Sequence, residues 1–246
     1  MWNNPRLLNA AASGLVAVAL AIFAWAALQL LLRSPMFPVR EITVRGDLLH
    51  TARTDLESAA RARVTGNFFA VDLAKIRAGL EGLVWVRRVD VRRVWPDRLD
   101  VTLEEHVALA RWGDVALVNT HGERFAAQSD AALPTFAGPP GTERDVAFRF
   151  RRYAEILAPL GGELERVILT PRYAWQLRLA SGLNIELGRD LAKDPAEERL
   201  ARFVTAYPRT LGRIARRHEY VDLRYSNGFA LRLPELERAA PEKAKS

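Results

Sequence analysis

The chain has 246 residues, 49% of them apolar, so it can bury a sizeable core and wholesale disorder is not expected. Its net charge is +7, but the arginines and lysines are spread along the chain, which is typical of biased composition and not of a nucleic-acid footprint. The absence of cysteine excludes disulfides, thiolate metal sites and cysteine nucleophiles.

An uncharged apolar stretch runs from Leu7 to Leu32 near the start of the chain. As a helix these residues would extend about 39 Å, enough to cross a hydrocarbon core of about 30 Å. A cleaved signal peptide is the alternative, because Ala24-Trp25-Ala26 resembles a cleavage site, but the apolar run continues past it. We predict one uncleaved span at 7–32, a short cytoplasmic tail at 1–6, and the rest of the chain outside.

Residues 39–46 alternate apolar and polar side chains and predict a short strand. Thr54 and Glu57 have the spacing of a capping box, which predicts a helix start at Thr54. Asp72 is the predicted N-cap of a second helix that ends at Gly82.

A hairpin is predicted around the turn 95–98. Its apolar residues share one parity in each strand, and its charged residues Asp90, Arg92, Asp100 and Glu104 have the other. We expect the charged face to be solvated and mutually neutralising, not a nucleic-acid grip. The pairs Arg87-Arg88 and Arg92-Arg93 break the alternation and predict a bulge or strand end near each.

Several motifs of this module occur together. They are Val39-x-x-Ile42-x-Val44-x-Gly46, Trp85-Val86, Val94-Trp95-Pro96, Leu99-x-Val101-x-Leu103-Glu104-Glu105 and Ala110-x-Trp112. With the order strand, helix, helix, strand, strand over 37–105, they resemble a POTRA domain. Combined with the apolar span, they resemble the FtsQ/DivIB family of bacterial cell-division proteins.

The second module, 106–233, is predicted to be rich in short strands. Strands are expected around the turn 119–123, at 164–169, at 174–180 and at 220–225, and helices whose predicted N-caps are Thr142 and Asp194. Residues 134–142 are expected to be a turn-rich connector, and the charged 234–246 a disordered tail.

This half also resembles the same family. The matching motifs are Trp175-Gln176-Leu177, Leu187-Gly188-Arg189, Arg199-Leu200-x-Arg202-Phe203 and Val221-Asp222-Leu223-Arg224-Tyr225-x-Asn227-Gly228. The fold class that follows is α+β, with an N-terminal transmembrane helix, a POTRA-type β-α-α-β-β module and a second mixed β-sheet domain with helices.

No catalytic, cofactor or metal site is expected. The sequence has no glycine-rich phosphate loop, no Gly-x-Ser-x-Gly elbow and no His-Glu-x-x-His helix. The histidines at 50, 106, 121 and 218 are expected in exposed turns and not around a zinc ion. Glu104-Glu105-His106 is expected to be a solvated strand end, because adjacent strand residues point to opposite faces.

Three further groups have a structural and a functional interpretation. Phe68-Phe69 is expected to fold back on a small core, with a docking surface as the alternative. The basic runs 149–152 and 213–217 are expected on solvated helix faces, with anionic lipid or glycan contact as the alternative.

The resemblance implies a non-enzymatic divisome scaffold that links early and late division proteins at the septum of the inner membrane. It implies binding of FtsB and FtsL by the periplasmic, membrane-distal domain, and of other division proteins by the POTRA domain. By motif match the partner-facing residues are Leu223, Arg224, Tyr225, Ser226, Asn227, Gly228 and Arg172. If the last strand lies at a sheet edge, its free N–H and C=O groups can accept a partner strand.

Two other functions are compatible with an anchored extracytoplasmic protein. One is a POTRA-bearing export or outer-membrane assembly factor that binds client polypeptides, although the sequence has one POTRA copy and no run of barrel strands. The other is an anchored hydrolase that uses Asp or Glu residues outside any recognised motif.

Overall fold

The computed structural model describes residues 5–34, 37–210, 219–225 and 228–232. Expectations for Ser226, Asn227, His218, the run 213–217 and the tail 234–246 therefore lie outside the described residues. The chain divides into two compact units, Met1–Glu105 and His106–Ser246, which are described separately.

Helix α1, Pro5–Arg33, contains the predicted apolar span. Within the described residues, Asn9–Leu30 has the length and composition of a membrane span, with a mean hydropathy of 2.2 and no part of it buried. Its side chains are apolar around the whole circumference, as expected for a helix whose surroundings are apolar on every side.

The rest of the first unit follows the predicted order of elements. These are β1 Glu41–Arg45, α2 Arg53–Arg61, α3 Leu73–Glu81, β2 Val86–Val94 and β3 Arg98–Glu105. The sheet order is β1-β3-β2, with β1 parallel and β2 antiparallel to β3. The two helices pack against the sheet through the fully buried Leu56, Ile76 and Leu80.

One of the two predicted helix caps of this unit is present. The Asp72 carboxylate accepts a hydrogen bond from the Lys75 N–H at 3.0 Å, and α3 ends at Gly82 as predicted. The predicted capping box at Thr54 is wrong, because α2 begins at Arg53 after Ala52 and no side chain caps this helix. The Arg53 guanidinium instead donates to the Val44 carbonyl at 2.9 Å, so a tertiary contact helps to hold the start of α2.

The hairpin β2–β3 has both predicted irregularities. Its register shifts between Val86 and Arg88, and β2 ends at Val94 directly after Arg93. The prediction that the charged face is solvated is wrong at Asp100, which is only 3% exposed. Arg92, its cross-strand partner, binds it at 2.9 Å, and Arg45 of β1 lies 3.3 Å away.

The second unit contains one sheet of nine described strands and two longer helices. The strands are β4 Ala108–Trp112, β5 Ala116–Asn119, β6 Arg124–Phe125, β7 Thr135–Ala137, β8 Leu164–Leu169, β9 Ala174–Leu179, β10 Asn184–Arg189, β11 Tyr220–Asp222 and β12 Ala230–Arg232; the helices are α4 Glu143–Leu157 and α5 Ala196–Ala206. Across the sheet the order is β12-β11-β10-β9-β8-β7-β4-β5-β6. This mixed sheet with helices confirms the predicted fold class.

The expected connector at 134–142 contains a central strand. Thr135–Ala137 forms β7, which is parallel to both β4 and β8 and joins the two halves of the sheet. Phe136 is fully buried in the core. The prediction was wrong here because three residues between prolines and glycines are too short for a periodic signal.

Helices α4 and α5 contact each other and pack on the same face of the sheet. Tyr153 of α4 and Phe203 of α5 are both almost fully buried in this core. The predicted Thr142 N-cap position is confirmed, but the Thr142 hydroxyl donates to the Pro139 carbonyl and caps no amide. Asp194 does not cap α5, because the Ala196 N–H bonds instead to the Asp190 carboxylate at 2.8 Å.

Candidate partner-binding site

The strand predicted at 220–225 is shorter and lies inside the sheet. β11 ends at Asp222 and pairs with β10 on one side and β12 on the other. The strand stops because the Arg224 N–H turns back to the Asp222 carboxylate at 3.0 Å, a bond of the Asx-turn type. Within the described residues, β12 is therefore the edge strand at this side of the sheet.

Asp222 and Arg224 form an ion pair at the end of β11. The Arg224 Nε lies 2.9 and 3.0 Å from the two carboxylate oxygens of Asp222, which is 5% exposed. The bonds from Arg224 lower the pKa of Asp222 and outweigh its burial, which acts in the opposite direction. Gly188 makes room for this pair, since a Cβ there would lie 2.8 Å from the Arg224 Cγ.

The predicted site residues differ in how far they reach the surface. Leu223 is 2% exposed and belongs to the core, so its side chain is not accessible. Tyr225 is 58% exposed, and Gly228 is also exposed. Tyr225 is therefore the most accessible described side chain of the predicted group between β11 and β12.

Arg172 lies in the turn between β8 and β9, at the same end of the sheet as Tyr225. This follows from the topology, because β9 starts beside the end of β10, and β10 and β11 are parallel. The neighbouring Tyr173 is 60% exposed and has a left-handed φ of 58°. Sequence reasoning did not single out Tyr173, although an aromatic residue in a predicted turn was the available signal.

A groove of about 280 Å³ lies between α5 and the β11–β12 connection. Its apolar lining comes from Phe203, Ala206, Leu223 and Phe229, its cationic lining from Arg199 and Arg202, and its accessible rim from Tyr225 and Gly228. The buried Arg199 donates to the backbone carbonyls of Arg189 and Asp194, and this fixes α5 beside the sheet. The groove can therefore hold an apolar side chain, while Arg199 and Arg202 are both paired with Asp194.

Glu105 is buried, so the expected solvated strand end is wrong at this residue. Its carboxylate accepts hydrogen bonds from the N–H groups of Leu49, His50 and Thr51 at 2.9, 3.0 and 2.9 Å. Burial raises the pKa of Glu105, but the hydrogen bonds outweigh it and the net pKa is lowered. A carboxylate held ionised by these donors suits a structural clamp better than a proton-transfer group.

The described histidines are engaged in stacking and hydrogen bonding. His50 stacks on Trp85 with ring centroids 3.6 Å apart, and His106 stacks on Phe125 at 4.2 Å. Among the described residues, no three His, Asp or Glu side chains form a group that could hold a metal ion.

The other candidate surfaces are partly covered. Phe68 is buried as expected, whereas Phe69 is 41% exposed. Arg93 holds this segment through the Phe68 and Val71 carbonyls at 2.8 and 2.6 Å. The basic run 149–152 was predicted to lie on a solvated helix face, and this prediction is wrong for Arg149. The Arg149 guanidinium binds Glu197 at 2.7 Å and also pairs with Asp190.

The comparisons with known proteins cover most of the chain. Residues 37–106 match the model of the FtsQ-type POTRA domain, and residues 110–224 match that of the C-terminal region of cell division protein FtsQ/DivIB. The chain is 44% identical to cell division protein FtsQ of Burkholderia pseudomallei over 235 residues, which is 94% of each chain. It is 40% identical to FtsQ of Nitrosospira multiformis, over 94% of this chain and 99% of that protein, and 31% identical to FtsQ of Neisseria gonorrhoeae, over 96% and 99%. The chain belongs to the FtsQ/DivIB family of cell division proteins.

Proposed function

We propose that the chain is a non-enzymatic scaffold of the divisome that links early and late division proteins. The observation that carries this proposal is the edge strand β12, which lies beside the exposed Tyr225 and the groove of α5. Such an arrangement supports binding of an extended polypeptide and has no need of a catalytic group. The family of the chain supports a role in cell division.

The proposed partners are FtsB and FtsL, bound by addition of a strand to β12. The three residues of β12 pair with β11 on one side only within the described residues, so main-chain groups on the other side can accept a partner strand. β11 cannot be the receiving strand, because both of its sides are already paired. Affinity would come from main-chain hydrogen bonds, and selectivity from neighbouring side chains.

Tyr225 is proposed as the principal side chain for this contact, with Gly228 and Arg172 near it. Arg224 is proposed to contact the partner through the exposed part of its side chain, while its guanidinium stays paired with Asp222. The buried Leu223 supports the site from below by lining the groove. Ser226 and Asn227 are also proposed to contact the partner, and both lie outside the described residues.

The proposed placement is a single pass through the inner membrane at the septum. Residues 1–6 would lie in the cytoplasm, 7–32 in the membrane, and both the POTRA domain at 37–105 and the β-rich domain at 106–233 in the periplasm. The apolar α1 supports the anchor. The POTRA domain is proposed to contact further division proteins.

The test is a pull-down from detergent-solubilised membranes with the full chain and a Tyr225→Glu variant. Phe148→Glu is the matched control, because Phe148 on α4 is 59% exposed and Tyr225 is 58% exposed. Burying an unpaired carboxylate at a contact aromatic should weaken recovery of FtsB and FtsL at least about tenfold, or ~1.4 kcal/mol. The control should recover both proteins as the parent does.

The outcomes separate the site from the function. Equal recovery by all three chains would keep the scaffold and remove Tyr225 from the contact. Recovery of unfolded outer-membrane polypeptides in place of FtsB and FtsL would replace the scaffold by a client-binding export factor.

A further inference from the structure

Among the described residues, the sheet of the second unit has one face that no helix covers, opposite α4 and α5. On this face the strand register places Thr135, Arg166, Arg178, Asn184 and Tyr220 directly beside one another in five adjacent strands. All five side chains carry hydrogen-bond donors. This donor row crosses four strand spacings of about 4.8 Å and is therefore about 19 Å long.

The donor row has an excess of positive charge at its centre. Arg166 and Arg178 are directly opposite in β8 and β9, and both are exposed. Like charges in this position destabilise a sheet. Arg178 pairs with Glu165 at 3.1 Å, but within the described part of the chain no ion pair or side-chain hydrogen bond involves Arg166.

Two acidic groups of the adjacent row are occupied by donors outside the donor row. Glu186 lies in the adjacent row and accepts a hydrogen bond from the Gln176 amide at 2.8 Å. Asp222 of the same row is paired with Arg224. A depression of about 250 Å³ is lined by both rows, including Arg166, Arg178, Gln176, Glu186 and Tyr220. Within the described residues, Arg166 is thus the arginine of the donor row that none of these acceptors engages.

We propose that the donor row binds an acidic, extended segment of a partner polypeptide, with carboxylates on Arg166 and Arg178. Guanidinium groups bind carboxylates in a planar, two-bond geometry, so two neighbouring arginines favour this class of ligand. A row of about 19 Å matches roughly six extended residues at ~3.3 Å each. The surface shares no proposed contact side chain with the Tyr225 site, so either proposal can fail alone.

The test measures binding of fluorescently labelled hexaglutamate to the full chain in detergent micelles by anisotropy at low ionic strength. The double variant Arg166→Gln/Arg178→Gln should bind at least tenfold more weakly than the parent. The control Arg124→Gln/Arg144→Gln removes the same charge from two exposed arginines outside the donor row and should bind as the parent does. Circular dichroism confirms that each variant is folded.

Four results would overturn the proposal. The first is no saturable binding of hexaglutamate by the parent, and the second is an equal loss in the two double variants. The third is binding that appears only in a chain ended at residue 232, which would assign the face to the acidic residues of the chain's own C-terminal segment. Tighter, variant-sensitive binding of hexathymidylate than of hexaglutamate would likewise replace an acidic polypeptide by a nucleic acid.

Discussion

At the residue scale, two acidic side chains of β3 have environments that their sequence neighbours do not reveal. Asp100 lies beneath Arg45 and Arg92, and Glu105 receives amides from a loop more than 50 residues earlier in the chain. Side-chain parity in a strand identifies the face but not the loop that covers it. Parity therefore predicts a solvated position for Asp100, whereas Glu105 shares the parity of the buried Leu103, and its expected solvated strand end is wrong because that loop covers it.

Replacing Glu105 with Gln should destabilise the first unit by about 1–3 kcal/mol at neutral pH, because three backbone amides lose a charged acceptor. Amide hydrogen exchange at Leu49, His50 and Thr51 should become faster in the variant. Glu104→Gln is the matched control: Glu104 is exposed and pairs with Arg87, so its effect should stay within about 0.5 kcal/mol.

The same variant makes a prediction about pH. Because the folded-state pKa of Glu105 is lowered, its stabilisation is present above the unfolded-state value of about 4.3 and is lost as the pH falls through the folded pKa. The stability difference between the parent and Glu105→Gln, measured by urea unfolding, should therefore shrink below about pH 4. A difference that stays constant down to pH 2 would contradict this assignment.

At the element scale, two helix starts that both had a predicted side-chain cap differ in the structure. Asp72 caps α3, whereas Thr54 lies inside the first turn of α2 and caps nothing. The β11–β12 pair shows the same limit, since chain order does not determine which strand forms the edge of a sheet.

The helix starts can be compared by alanine substitution. Asp72→Ala should cost about 0.5–2 kcal/mol, because the Lys75 amide loses its acceptor. Thr54→Ala should change stability by less than about 0.5 kcal/mol, as at other surface positions without a cap. Urea denaturation of the full chain measures both. A larger loss of stability for Thr54→Ala than for Asp72→Ala would contradict this assignment and support a capping box at Thr54.

At the scale of the whole molecule, the proposed anchor determines where both units are held. The span in α1 has no charged residue between Asn9 and Leu30, and none of it is buried within the chain. Such a helix is stable in an apolar medium and unfavourable in water. Both folded units follow this span in the chain, so the proposed anchor would tether both of them to the membrane.

The double substitution Val18→Arg/Leu20→Arg should release the chain from membranes. Each charge near the middle of a span raises the free energy of membrane insertion by about 2.5–3.5 kcal/mol. Alkaline extraction followed by sedimentation measures the released fraction. Gln29→Arg is the control, because a long cation near the end of the span reaches the interface. An intact mass that lacks the first ~26 residues would instead establish a cleaved signal peptide.

The sequence by itself determined the apolar span, the order of elements in the first unit, the cap at Asp72 and the family resemblance. These features depend on patterns within a few residues, and the comparisons bear out the family. Only the tertiary structure decided that β12 is the edge, that Thr135–Ala137 joins the sheet, that Glu105 is buried, and that Arg166 faces Arg178. Each of these depends on which distant strands and loops meet, because packing and pairing free energies are shared between segments that the chain order separates.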